Sequence, residues 1–176
     1  MEKDTSILKH TLTNGIILGL ALIIYTVLLY ITNLTFNFSL GLLSYVIIIA
    51  GIFMGTKSYR DKVLGGTISY GKALAAGVLI AVFAGILSSL FSFILTTWID
   101  PDMVEKGFKV MEEKFQNRGM SDDQVEMIMN RVRENASTVK TLIYGILGFA
   151  ILGTIISLIT AAILKKEENP LMEGNE

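Results

Sequence analysis

The sequence predicts an all-α, polytopic membrane protein with four transmembrane helices. Three stretches without a charged residue, 11–56, 73–99 and 141–164, contain 46, 27 and 24 of the 176 residues. A bilayer core about 30 Å thick needs roughly 20 apolar residues in each helix that crosses it. Hydrophobic residues make up 52% of the chain and the mean hydropathy is +0.57, which suits lipid better than water as the main solvent.

The first charge-free stretch is long enough for two membrane-crossing helices. Residues 33–37, Asn-Leu-Thr-Phe-Asn, are its most turn-like segment. Division at that point predicts spans at about 11–32, 38–56, 73–99 and 142–164, all within a single membrane domain covering 1–176.

The distribution of lysine and arginine predicts which side of the membrane each loop occupies. The loop between the second and third spans contains four basic residues, whereas the turn between the first and second contains none. Residues 100–140 contain seven basic and nine acidic residues, a net charge of −2. Because short cytoplasmic loops are enriched in lysine and arginine, we expect cytoplasmic termini and an extracytoplasmic 100–140 insert. Residues 165–176 are expected to form a disordered cytoplasmic tail.

The 100–140 insert has the pattern of two amphipathic helices. Asp100-Pro101 is typical of a helix start, and Gly119 of a helix end. Ser121-Asp-Asp-Gln124 matches a capping box at the start of a second helix, which could continue without a break into the fourth span. The candidate apolar face of this hairpin consists of Val104, Phe108, Met111, Phe115, Val125, Ile128 and Val132.

Small residues at intervals of four predict close helix packing. The third span has the longest such series, from Ala73 to Ser89, and GxxxG pairs occur in the first and second spans. In lipid, small residues let helix backbones approach closely and gain dispersion contacts. The candidate packing residues are Gly15, Gly19, Gly51, Gly55, Ala73, Gly77, Ala81, Gly85 and Ser89. Packing within one chain is the simpler interpretation, and homodimerisation through one of these faces is the alternative.

No catalytic, cofactor-binding or metal-binding residue is predicted. The chain has no cysteine and one histidine, His10, so thiolate and histidine-based sites are disfavoured. Residues 66–72 fit GxxxxGK, but Ala73 stands where a phosphate-binding loop needs serine or threonine. Met127 and Met129 point about 200° apart on a helix and cannot chelate copper together. The net charge of −1 gives no indication of nucleic-acid binding.

The chain resembles a bacterial inner-membrane family known as domain of unknown function 4199. The resemblance rests on Asn14-Gly-Ile-Ile-Leu-Gly19, on Ile68-Ser-Tyr-Gly-Lys-Ala-Leu74 and on the Lys165-Lys166 ending. Four spans with a polar helical insert before the last also match. It covers nearly the whole chain and implies a bacterial inner-membrane location with a periplasmic insert. It implies no activity.

The sequence favours a non-enzymatic assembly, scaffold or regulatory component that acts through helix–helix and hairpin contacts. Its partners would be the lipid bilayer and either a second copy or another membrane protein. The alternative is a small transporter or channel for a neutral or lipid-like solute, which requires a polar cavity between the helices. The four spans contain no charged side chain and no proline, which disfavours proton relays and broken transporter helices.

Overall fold

The structure, a computed structural model, describes the backbone of residues 2–166 and the side chains of 7–137 and 139–166. Within that part six α-helices follow one another: α1 (Glu2–Ile31), α2 (Phe38–Lys62), α3 (Tyr70–Ile94), α4 (Met103–Asn117), α5 (Asp122–Asn135) and α6 (Thr138–Leu164). A π-helical turn, Leu95–Ile99, ends α3. The predicted tail lies outside the described residues from 167 onward.

Four of the helices contain segments long and apolar enough to cross a membrane. These segments are Ile7–Ile31, Phe38–Lys62, Tyr70–Ile99 and Val139–Leu164, with mean hydropathies between 2.2 and 2.6. At most a third of any of these segments is buried inside the protein. Their apolar side chains therefore face outward, as a lipid environment requires. The predicted all-α fold with four candidate spans is confirmed.

Helix α3 lies at the centre of the bundle. It packs most extensively against α6 and then α1, while α2 contacts α1, α3 and α6. The main core combines large aliphatic side chains from all four spans with alanines from α3: Leu18, Leu22, Ile48, Ile52, Ile80, Ala81, Ala84 and Ile156. Small residues on α3 therefore let it contact three neighbours at once.

The two ends of the bundle differ. At one end, here called the hairpin end, α4 and α5 form a two-helix hairpin between α3 and α6. At the other, here called the loop end, residues 63–69 connect α2 to α3. The backbone of Ile68 exchanges two hydrogen bonds with that of Lys166, at 2.8 and 3.0 Å, which ties this loop to the end of α6. Gly65 and Gly66 supply the positive φ angles that the loop requires.

The expected continuation of the second hairpin helix into the fourth span is wrong. Helix α5 ends at Asn135, and Ser137 begins α6 as its N-cap, with its Oγ accepting a hydrogen bond from the Lys140 N–H at 3.2 Å. Such a cap satisfies a backbone donor that would otherwise lack a partner at the helix start. The start of α4 also differs, because the helix begins at Met103, after a turn at residues 101 and 102, rather than at Pro101.

Candidate functional site

The predicted small-residue series on α3 lies against a row of residues on α6. A Cβ added at Gly77 would meet Ser157, one at Gly85 would lie 2.5 Å from the Phe149 Cβ, and one at Gly153 would meet Ala81. At the hairpin end a Cβ on Gly145 would lie 2.7 Å from the Ser89 Oγ. The α6 row is therefore residues 145, 149, 153 and 157. Ala73, one turn before Gly77, is fully buried in a second core cluster near the loop end.

The GxxxG pairs of α1 and α2 also face neighbours within the chain. A Cβ on Gly15 would lie 2.5 Å from that of Phe83 on α3, and one on Gly19 would lie 2.9 Å from Leu87. Gly51 lies against Leu18, and Gly55 lies against Ile80 and Asn14. All four glycines thus contact other helices of the same molecule, and these positions are covered without a second copy.

A cavity of about 310 Å³ lies between the four spans in the half of the bundle nearer the hairpin. Its size is at the lower end of the range for small-molecule sites. No charged residue lines it. Seven hydroxyl-bearing residues from all four helices do: Thr26, Ser44, Ser88, Ser89, Ser92, Thr96 and Thr141. Ser92 and Thr141 are exposed and mark where the cavity opens, whereas Ser89 is buried.

The hydroxyls differ in how they are satisfied. Thr26 donates to the Leu22 carbonyl at 2.9 Å and Thr96 donates to the Ser92 carbonyl at 2.9 Å, so each satisfies its own donor within its helix. Their oxygens can still accept a hydrogen bond. The Ser88 Oγ has no hydrogen-bond partner among the described residues, but it is buried beneath the cavity surface. The hydroxyls that a bound polar group could reach are therefore those of partly exposed lining residues such as Ser44 and Ser92.

The π-helical turn lies at the hairpin end of the cavity. The Asp100 N–H donates to the Leu95 carbonyl, five residues earlier, at 2.8 Å. Thr96, within this turn, lines the cavity, and Leu95 is buried. Short π-helical turns occur frequently at functional sites. Two unusual local features therefore occur in the cavity lining, the π-helical turn at Thr96 and the buried Ser88 hydroxyl.

The hairpin is attached to the bundle through the turn between α1 and α2. Lys106 on α4 donates to Asp100 at 2.9 Å, and Tyr30 also hydrogen-bonds the Asp100 carboxylate. The hydrogen bond from Lys106 is the main reason why the pKa of Asp100 lies below its ordinary value of 3.8. The Lys114 ammonium lies 5.9 Å from the centre of the Phe38 ring. These contacts link α4 to Asp100, which Tyr30 of α1 also contacts, and to the start of α2.

The predicted apolar residues of the hairpin are only partly brought together. Val125 and Met129 are buried, and Phe108, Met111, Phe115, Ile128 and Val132 are half-buried. Val104 is 41% exposed and does not share their burial. Arg133 links the two helices, since it contacts Glu105 at 3.1 Å and Glu112 at 3.0 Å and lies over the Phe108 ring. The capping arm from Gln124 is present, with its Oε1 accepting from the Ser121 N–H at 3.1 Å.

The cavity was not predicted from the sequence, although part of its signal was present. Ser88, Ser92 and Thr96 follow one another at intervals of four on α3, which places them on one helix face. Hydroxyls within a span can bond their own helix or a neighbouring one, and Thr96 bonds its own helix. The contributions of Ser44 and Thr141 depend on how α2 and α6 are rotated, which no local pattern reveals. Within the described residues, no group of three or more acidic, histidine or cysteine side chains is arranged to hold a metal ion.

The comparisons with known proteins give one match. Neither the curated proteins nor the solved structures include a match to this chain. The family model described as "Protein of unknown function (DUF4199)" matches residues 13–166, which includes all four spans and the hairpin. The resemblance drawn from the sequence motifs is confirmed. Both the match and the four apolar helices support an integral membrane protein of unknown function. The chain belongs to the DUF4199 family.

Proposed function

We propose that this protein binds a neutral or lipid-like solute in the hydroxyl-lined cavity, as a small transporter or channel does, and that it catalyses no reaction. The observation that carries the proposal is the convergence of hydroxyls from all four spans on one uncharged cavity. A polar cavity between the helices is the feature that distinguishes a solute-binding protein from a purely structural bundle. The small-residue faces are occupied inside the molecule, so they favour the assembly role less.

The chemistry of the lining matches a neutral solute. Hydroxyls offer both donors and acceptors, and the remaining lining is apolar, including Leu22, Ile48 and Phe149. A solute hydroxyl or carbonyl can bond the partly exposed Ser44 and Ser92 hydroxyls, whereas an ion would find no opposite charge among the described lining residues.

Cysteine accessibility tests this proposal, because the natural chain contains no cysteine. Ser44→Cys, in the half-buried part of the lining, and the lipid-facing control Leu90→Cys would be reconstituted in nanodiscs and labelled with N-ethylmaleimide. We expect Ser44→Cys to react about ten-fold faster, because the thiol of the control lies in an apolar environment and is poorly ionised. Glycerol or a monoacylglycerol, but not sodium glutamate, should slow the reaction. Equal rates for the two variants would show that the cavity is dry and would contradict the proposal.

A second candidate function, as an assembly or regulatory component, is supported by the exposed apolar residues of the hairpin. Met127 is 60% exposed and Val104 is 41% exposed, although both lie outside the candidate spans. A photocrosslinking amino acid at position 127 should then capture the same membrane protein repeatedly in cells. The same amino acid at the exposed Glu113 would serve as the control.

The proposed location is the bacterial inner membrane, with both termini in the cytoplasm and residues 100–140 in the periplasm. Charge supports this orientation, because the loop end carries Lys9, Lys57, Arg60, Lys62, Lys72, Lys165 and Lys166 and the hairpin segment has a net charge of −2. Cytoplasmic ends of membrane helices are the ones enriched in basic residues.

A further inference from the structure

We propose that the groove between α1 and α2 at the loop end binds an anionic phospholipid, with an acyl chain along the groove and the headgroup phosphate at Lys57 and Lys62. The groove has a volume of about 700 Å³ and is separate from the hydroxyl-lined cavity, with which it shares no lining residue among those described. The inference therefore does not depend on the proposed function.

The shape of the groove suits an acyl chain. Small residues on both helices, Ala21 on α1 and Ala50 and Gly51 on α2, form part of its lining. At its edges Ile17 is 60% exposed and Met54 is 68% exposed, so the groove is open to the surrounding lipid. Between Ile47 and the headgroup end at Lys57 the groove follows α2 for about 15 Å at 1.5 Å per residue, which accommodates much of an extended acyl chain.

The charge at one end of the groove identifies the headgroup. Lys57 and Lys62 line this end, and neither forms an ion pair with another residue in the described part of the chain. Asp61, the acidic residue of the lining, is paired with Arg60 at 2.6 Å, and Lys57 interacts with it only at longer range. Lys57 and Lys62 can therefore both turn to a phosphate. Basic pockets at the ends of membrane helices bind anionic headgroups in this way.

A second groove on the other side of α2 provides an internal comparison. It lies between α2 and α6, has a volume of about 360 Å³ and is lined by apolar residues and Thr160, with no charged residue. Arg60, which lies near this side, donates to the Leu164 carbonyl at the end of α6 at 3.4 Å. This second groove can hold lipid tails but offers nothing that distinguishes one headgroup from another. Selectivity is therefore expected only at the α1–α2 groove.

Native mass spectrometry of the full chain in detergent tests the proposal. Phosphatidylglycerol and phosphatidylethanolamine with identical acyl chains would be added separately. We expect one phosphatidylglycerol to be retained in preference to phosphatidylethanolamine. Each basic residue near a headgroup strengthens binding roughly five-fold, so the double variant Lys57→Gln/Lys62→Gln should lose retention by about 25-fold. The matched variant Lys9→Gln/Lys72→Gln, with the same change in net charge at the same end, should bind normally.

A groove-filling variant separates the acyl-chain site from charge alone. Ala21→Phe leaves both lysines in place and, on an exposed face, should preserve the fold while it reduces retention of phosphatidylglycerol. Equal losses from the two lysine double variants, or no preference between the two lipids, would overturn the proposal. So would a dimer that excludes lipid and forms a disulfide through Met54→Cys, since a second copy would then occupy the groove.

Discussion

Glycine, alanine and serine at single positions decide how closely the spans of this protein approach. Where α3 meets α6, each side chain of one helix lies opposite a small residue of the other: Ser157 opposite Gly77, Ala81 opposite Gly153, and Phe149 opposite Gly85. Lipid tails are as apolar as leucine, so the spans gain little from the hydrophobic effect when they associate. Close contact and the dispersion attraction it provides are what remain.

Gly85→Leu should destabilise the bundle. Its new side chain would overlap the Phe149 ring, whose Cγ would lie 2.8 Å from the added Cβ, and overpacking of this kind costs about 1–3 kcal/mol. Gly148→Leu is the matched control, because a Cβ at Gly148 would meet nothing within 4 Å. Thermal unfolding in a mild detergent measures the difference. Equal melting temperatures for the two variants would refute the packing described for this contact.

The α3 side of this contact could be predicted from the sequence and the α6 side could not. The α3 series repeats every four residues without interruption, from Ala73 to Ser89. On α6 the contacting row includes Phe149, a large residue, whereas Gly148 lies outside it. The glycines of α6 are therefore irregularly spaced in the sequence. The α6 row places the large Phe149 opposite Gly85 of α3 instead of repeating small residues.

At the scale of elements, the hairpin shows where an apolar pattern misleads. Apolar residues recur at helical spacing from Val125 through Ala136 to Val139, a pattern that one continuous helix would also show. Ser137 ends that continuity, because its side chain caps α6, and both Ala136 and Val139 are exposed. The polar Ser137, between the two apolar patterns, therefore sets the boundary between α5 and α6.

Asp100→Asn should loosen the attachment of α4 to the bundle. The change removes the charge that Lys106 and Tyr30 contact, and the effect should be modest because the pair is at the surface: amide exchange in the first turns of α4 should rise a few-fold at most. Because the pKa of Asp100 is lowered in the folded protein, its contribution is complete above 3.8 and is lost as the pH falls through the lowered pKa.

Hydrogen–deuterium exchange of the wild-type protein, Asp100→Asn and the control Glu113→Gln checks this prediction. The control removes an exposed carboxylate on α4 that is in no ion pair within the described chain. Identical exchange in all three proteins would mean that the Asp100 contacts do not hold α4.

For the whole molecule, the number and type of elements follow from composition, but the cavity does not. Long uncharged stretches sufficed to predict four spans, because the requirement for about 20 apolar residues is a property of the bilayer. The cavity depends on the relative rotation of four helices, which brings Ser44 and Thr141 to the same place as Ser88. Tertiary packing sets that rotation, and no local pattern encodes it.

The proposed orientation predicts which cysteines react in intact cells. Gln116→Cys lies on the hairpin and Gly71→Cys lies at the loop end, both at exposed positions, and the natural chain has no cysteine to interfere. A membrane-impermeant maleimide should label Gln116→Cys in spheroplasts and should label Gly71→Cys only after permeabilisation. The reverse pattern would place the hairpin in the cytoplasm and contradict the orientation inferred from charge.

The π-helical turn between α3 and the hairpin has a consequence for how this chain can vary in length. Its hydrogen bond from Asp100 to Leu95 closes a ring one residue wider than an α-helical turn needs. A chain shortened by one residue between 95 and 99 could close the turn in α geometry, and the start of α4 would then rotate by about 100° around the axis of α3. The contact of Lys114 with the Phe38 ring would lose its register. Residues 136 and 137, which join α5 to α6, could take up the rotation, so that α6 keeps its place against α3. Single-residue insertions and deletions at this turn should therefore redirect the hairpin and leave the contact between α3 and α6 in place.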